Sequence, residues 1–386
     1  MAWDRRLPEK AVAPAPIALG RWLAAAGVAL LVGVLVFLLL ASGRVPPMQG
    51  LNIWAISAVP LLTLVLVFGA RAYAYGQDLS HYQFLEHEAH IAEHAWHDWA
   101  ERGLAVNASC VVLPDQVSAA VLAQSASTLP PRGGQVRRIA ALPLQGSRTQ
   151  AGLQQLIAAM TPALRSLPVG QELRVTLLSD GVPEDHSVLH QAWQQIWGAS
   201  MGDAALPTLL VSDELSCQWL DDTVKCASSA LQLLLVLQVN GADEYSDGLA
   251  ALLLCPDPLA TLWQLPVTAT LLRAMPLDVD ALSSELPLFW QTQTAALRAT
   301  AVLADAESWQ PVMTQLVTTG RTQGAQLEVE QQWVQERFCG LAGPFGHWLV
   351  TALGVDVSRH QQRPLMLLAK ENNRQWISTI THKELA

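Results

Sequence analysis

Five histidines crowd one short stretch of this chain: His81, His87, His90, His94 and His97, in HYQFLEHEAHIAEHAWH. The last four are spaced 3, 4 and 3 apart, which places them on one stripe of a helix. Within the stripe, His90, Glu93 and His94 spell H-x-x-E-H, the inverted zinc-protease motif. Two imidazoles one turn apart would grip a zinc ion while the glutamate works on a bound water. A third ligand is required, and Glu172 stands at a suggestive separation. Glu172, however, opens the strand-like run QELRVTLL, and the motif continues directly from an apolar helix, where a closed cleft is hard to build. The favoured reading is a stalk: Phe84, Ile91, Ala95 and Trp99 pack on the domain that follows, and the histidines face outward. A stripe that responds to pH is the intermediate alternative. Two further pairs, Ser179-Asp180 and Ser212-Asp213, fall at the ends of strand-like runs, where parallel sheets place ligands. The same residue types are the ordinary caps of a following helix, and capping is expected here.

The elements that hold these residues begin with two uncharged apolar runs, from Trp22 to Ala41 and from Leu51 to Ala70. A bilayer core about 30 Å thick needs roughly 20 apolar helical residues, and each run supplies them. Ser42 to Gly50, with Pro46 and Pro47, separates the two, so a tight hairpin of membrane helices is expected. The first run is too long for the h-region of a signal peptide, about 7–15 residues. Pro60 inside the second is tolerable because neighbouring groups can satisfy the freed carbonyl. Arg5, Arg6, Lys10 and Arg21 precede the first run, Arg44 lies between them and Arg71 follows the second. That bias keeps the N-terminus and everything after Arg71 in the cytoplasm.

Beyond Arg71 the chain carries 17 basic and 31 acidic residues, a net charge of −14. Such a domain repels nucleic acid and anionic headgroups, so its partners are expected to be proteins. Cys110, Cys217, Cys226, Cys255 and Cys339 show no C-x-x-C or paired spacing. They read as reduced thiols, with neither a disulfide framework nor a zinc knuckle.

Strand-like runs recur at Ala108–Leu113, Val136–Leu144, Leu173–Leu178, Pro207–Val211, Leu231–Val239 and Leu249–Leu254. Gln150–Leu167 and Asp185–Ala199 carry helical spacing between them. Apolar strands alternating with helices predict an α/β domain with a mostly parallel sheet. The second half reads as more helical, over Asp278–Arg298, Glu307–Thr319, Ala325–Phe338 and Phe345–Gly354. It closes with a strand pair, Leu365–Ala369 and Trp376–Thr381. No internal repeat is visible, and the nearest feature to a boundary is the segment from Gly241 to Asp247. The expected divisions are a tail over 1–21, a hairpin over 22–70, a His-rich helical connector over 71–103 and a soluble domain over 104–386.

Asp222 to Leu231, DTVKCASSAL, resembles the nucleophile segment of ketosynthases, in which a cysteine precedes small residues. Gly346-His347, opening an apolar helix, resembles their late Gly-His element. The resemblance implies a thiolase-like fold in which Cys226 attacks a thioester and histidines support decarboxylation and the oxyanion. The intervening His-Gly-Thr element and the Gly-rich C-terminal signature have no match, and Lys225 replaces a small residue. A nucleophile without its base and oxyanion partners is not a catalyst, so the implied fold has lost its chemistry. The whole organisation is also similar to proteobacterial inner-membrane accessory proteins of type VI secretion effector modules. Trp96, Trp99, Ala100, Arg102, Leu104, Ala105 and Val106 carry that likeness, and it implies an adaptor or immunity role.

The expected function is therefore a membrane-anchored, non-catalytic accessory protein that binds a protein partner at the bacterial inner membrane. No catalytic, cofactor-binding or metal residue is assigned to it. The alternative is a membrane-bound enzyme, either acyl-transferring through Cys226 and His347 or zinc-hydrolytic through His90, Glu93 and His94.

Overall fold

The computed structural model describes residues 11–42, 52–143, 147–168, 170–202, 204–226 and 230–382. Arg5, Arg6, Lys10, Arg44, Pro46, Pro47 and the small residues 227–229 lie outside these, as does Leu144. The helices up to Trp96 form one unit, and the chain from His97 onward forms another.

In the first unit, α1 (Leu19–Ala41) and α2 (Ile53–Glu101) are both long and apolar enough to cross a membrane. They run antiparallel: Trp22 meets Phe68 at 5.1 Å between ring centroids, and Phe37 meets Trp54 at 4.9 Å. Gly33 lies at the crossing, where a Cβ would stand 2.6 Å from the Ser57 carbonyl oxygen. Small residues at such crossings let helix backbones approach closely in lipid. The helix α2 is one continuous element of 49 residues, roughly 70 Å long. The second span and the His-rich connector are thus the same helix. Within the first unit, Phe84, Ile91 and Ala95 are exposed.

The second unit is an α/β fold with a mixed sheet. Its first half runs β1 (Gly103–Val112), α3 (Ala119–Ser125), α4 (Arg148–Arg165), β2 (Leu173–Ser179), α5 (His186–Met201), β3 (Leu209–Ser212), α6 (Gln218–Lys225), β4 (Leu231–Gln238) and β5 (Gly248–Pro256). After α7 (Asp257–Leu262) come β6 (Ala269–Leu272), β7 (Met275–Pro276), α8 (Leu282–Thr292), β8 (Ala301–Ala304), α9 (Gln310–Thr322), β9 (Gln332–Val334), α10 (Gln335–Cys339), α11 (Gly346–Gln361), β10 (Leu365–Glu371) and β11 (Arg374–His382). The sheet order is β3-β2-β4-β5-β1-β6-β11-β10-β8-β9, with β7 beside β11.

This order is a duplication. From the antiparallel β1–β6 pair outward, each wing reads first, fifth, fourth, second and third strand of its own half once β7 is set aside. The pairs β2–β3 and β2–β4 are parallel, as are β8–β9 and β8–β10. The hairpins β4–β5 and β10–β11 are antiparallel. Parallel character is therefore confined to the wings, where α5 and α9 provide the crossovers that parallel neighbours require. The segment from Gly241 to Asp247 connects β4 to β5 inside the first half.

Three helical layers follow from the burial pattern. The helix α11 is buried from Gly346 to Val355 and packs on strands of both halves, including β1, β5, β10 and β11. Its interior cluster joins Trp348 and Leu353 to Leu252 of one half and Leu367 of the other. Leu153, Leu156, Trp193 and Trp197 of α4 and α5 cover the outer face of the first half. Phe289, Trp290 and Leu316 of α8 and α9 do the same for the second. Gly248 and Gly354 allow α11 this proximity: a Cβ on either would strike Leu349 or Ile380.

Two expected elements differ. The described part of the run from Val136 forms no strand, because its backbone is claimed by side chains. Arg137 N donates to Ser246 Oγ at 3.0 Å, and Ile139 N donates to the buried Asp247 carboxylate at 2.8 Å. The expected helix over Ala325–Phe338 is instead the edge strand β9 followed by the short α10, with β9 held parallel to β8.

Candidate functional site

The carboxyl ends of β3, β9 and β10 bring three chemically distinct side chains together. Cys217 is the residue before α6, His347 is in the first turn of α11, and Glu371 ends β10. The Cys217 Sγ, a ring nitrogen of His347 and a carboxylate oxygen of Glu371 all lie within 4.8 Å of one another. Local sequence explains each placement. Ser216 Oγ accepts from Gln218 N at 3.2 Å, turning the chain into α6, and donates to Glu371 Oε2 at 2.8 Å. Cys217 N donates to the same oxygen at 3.0 Å. Glu371 thus supplies the negative charge that a helix N-terminus favours.

Leu215 provides the other anchor. Its carbonyl oxygen accepts from Trp348 Nε1 at 2.8 Å and lies 2.9 Å from His347 Nε2. A carbonyl only accepts, so the hydrogen of His347 sits on Nε2 and the lone pair on Nδ1. That Nδ1 is buried and has no hydrogen-bond partner among the described residues. Behind Glu371, Asp305 fixes the strand backbone: it accepts from Lys370 N and from Trp309 Nε1, both at 2.7 Å.

Burial dominates the electrostatics. It pushes the Cys217 thiol well above its ordinary value, and the charges of Glu371 and Asp305 push the same way. Burial also lowers His347, opposed by its bond to Leu215 and by Glu371. Asp305 is raised to about 6 by desolvation, against the hydrogen bonds it accepts. At neutral pH the group is thus a protonated thiol beside a neutral imidazole, without the thiolate that nucleophilic catalysis uses. A thiol sulfur, an imidazole nitrogen and a carboxylate oxygen are, equally, the donor types that a borderline-soft cation takes.

The residues singled out from sequence fall elsewhere. Cys226 is exposed at the far end of α6, nine residues after Cys217 or roughly 13 Å along a helix. The structure does not bring it to His347, and Cys217 takes the place expected of it. The signal that marks Cys217 is its position one residue after a turn-forming serine and directly before a short helix. His87, His90 and His94 are exposed, and the rings of His90 and His94 stack at 4.5 Å. Glu172 is engaged by Arg174, whose Nε donates to it at 2.7 Å. Asp180 caps no helix. Half buried, it ties the end of β2 to Asn240, two residues beyond β4, by accepting from Asn240 N at 2.8 Å and from Asn240 Nδ2 at 3.0 Å. Ser212 closes a turn onto Glu214.

Two concavities accompany the site. A polar cleft of about 280 Å³ opens at the end of β2, beside Ser147, Arg148, Ser179 and Asn240. An apolar groove of about 560 Å³ runs along the β2–β3 edge, lined by Leu173, Val175, Leu210, Trp219 and Cys226.

No protein-family model and no curated protein matches the sequence. Among solved structures, the chain is similar to a type II polyketide ketosynthase in complex with its acyl-carrier protein. That match has 10% identity and a TM-score of 0.47, covering 73% of this chain and 99% of the other. It is also similar to 3-oxoacyl-[acyl-carrier-protein] synthase III from Aquifex aeolicus, with 10% identity, a TM-score of 0.44, and coverage of 73% and 100%. A third is OleA from Xanthomonas campestris, with 10% identity, a TM-score of 0.43, and coverage of 72% and 96%. These are likenesses of outline to thiolase-like proteins, and no activity follows from them.

Proposed function

We propose that this protein is a membrane-anchored, non-catalytic accessory protein whose acidic α/β domain holds a protein partner at the bacterial inner membrane. Its domain lies on the cytoplasmic side, and type VI secretion is the setting that the Trp96–Val106 connector suggests. The observation that carries the reading is the closure of the strand-end centre. Cys217 is 5% exposed and His347 3%; the His347 ring lies 5.6 Å from that of Trp348, which meets Trp219 edge to face at 5.9 Å. A substrate carbonyl has no approach to a sulfur so covered, and the thiol is held protonated.

The surface offers a place for a protein instead. Among the described residues, the strand β3 ends the sheet and pairs with β2 alone. Its Leu210 is 62% exposed above the apolar groove. An open edge beside an apolar trough suits an extended segment that adds a strand and seats alternate side chains.

Isolation of the protein from its native membranes in mild detergent, followed by identification of what accompanies it, tests the reading. A stoichiometric protein partner is expected, lost on Leu210→Lys and retained on His90→Ala. Recovery of the protein alone, or loss of the partner on His90→Ala in a normally folded protein, counts against it. A thioester-derived adduct on the isolated protein would favour the enzyme instead.

A further inference from the structure

Three donor atoms of different kinds meet where the two halves of the domain come together: sulfur from Cys217, nitrogen from His347 and oxygen from Glu371, mutually within 4.8 Å. They come from three separate elements, so no local turn accounts for their convergence. Two of them are also held from behind. His347 Nε2 is engaged by the Leu215 carbonyl at 2.9 Å, the backbone bond that characteristically orients a metal-ligating imidazole and fixes its tautomer. Glu371 Oε2 accepts from Ser216 Oγ and Cys217 N, as ligating carboxylates do. The buried Nδ1 of His347, with no partner among the described residues, is a polar atom that hydrogen bonding within the protein leaves unexplained.

We propose that Cys217, His347 and Glu371 bind a zinc ion, which clasps the start of α6 in the first half to the start of α11 and the end of β10 in the second. A thiolate excludes magnesium and calcium, which take oxygen ligands, while the mixed sulfur, nitrogen and oxygen set suits zinc. As the Zn–S bond forms, the Cys217 sulfur gives up its proton to solvent buffer, so the bound form carries a thiolate. Three protein ligands leave the fourth tetrahedral position to water. The site is independent of the His90–His94 stripe.

The full-length protein, purified in detergent without a polyhistidine tag, provides the test. Zinc content is measured as isolated. The protein is then stripped with chelator and titrated with cobalt(II). About one equivalent of zinc and a thiolate-to-cobalt charge-transfer band, displaced by added zinc, are expected, in keeping with one four-coordinate site. Cys217→Ser removes the band. Cys226→Ser and the double change His90→Ala, His94→Ala keep it. Ser216→Ala, which spares all three ligands, weakens cobalt binding about 10–100-fold. Wild-type protein with neither zinc nor the band overturns the proposal, whatever the variants do. So does a band that survives Cys217→Ser or vanishes with Cys226→Ser.

Discussion

Asp305 shows how a single buried carboxyl shapes this domain. It is 3% exposed at the end of β8, and its two oxygens hold the Trp309 ring and the backbone that leads into Glu371. Desolvation raises it from 3.8 to about 6. Between those values the folded protein keeps a proton that the unfolded chain has already lost. Stability therefore falls as pH rises from about 4 to about 6, and this contribution is flat above that. The size of the effect is on the order of 3 kcal/mol. Unfolding midpoints measured across this window should show a slope in the wild type that Asp305→Asn removes, since the amide does not titrate. An unchanged slope in the variant would assign the dependence to other groups.

At the scale of elements, α11 is placed by what precedes it. Gly340 ends α10 with φ 85° and ψ −172°, a conformation open essentially to glycine alone. A Cβ there would also stand 2.3 Å from the Gln135 carbonyl oxygen, whose neighbouring backbone cannot yield. Gly340→Ala is expected to cost about 3 kcal/mol or more, combining backbone strain with overpacking. Gly324 makes the internal comparison, with φ 87° and open space around it. Gly324→Ala should cost only the left-handed backbone term, about 1–2 kcal/mol. Thermal unfolding of the two variants side by side distinguishes these outcomes. Equal losses would mean that the Gln135 contact yields easily.

At the scale of the whole molecule, the two units divide the labour. One holds two helices long and apolar enough to cross a membrane, and the other holds the α/β fold. Removing residues up to Arg71 should shift the protein from the membrane to the soluble fraction on cell fractionation. Persistent membrane association would place a second anchor in the domain. Sidedness has its own reporter, because Cys226 is exposed whereas Cys217, Cys255 and Cys339 are buried. A membrane-impermeant maleimide should label Cys226 only after the inner membrane is opened. Labelling of cells in which only the outer membrane is permeable would put the domain in the periplasm.

The linear pattern carried much of this protein. Trp22 to Ala41 and Leu51 to Ala70, each uncharged and apolar, are legible as helices long and apolar enough to cross a membrane, since that property is local and additive. The apolar runs of β4 and β5 are likewise legible, as strands buried on both faces, and so is the hairpin of β10 and β11 across Glu371 to Arg374. The short edge strand at the other end of the sheet from β3 was not. The strand β9 has three residues and takes its identity from β8, so WVQERF reads as helix until its neighbour is known. The run from Val136 misleads for the converse reason: its backbone finds Ser246 and Asp247, more than a hundred residues away. Duplication of the sheet is invisible in the residues because strand order requires only burial and direction, which many sequences meet. The convergence of Cys217 with His347 and Glu371 spans 154 residues, and only the packing of α6 against α11 brings them together. Proximity in sequence to a family motif pointed to Cys226; three-dimensional proximity chose Cys217, because the N-terminus of α6, not its C-terminus, faces the ends of the second half's strands.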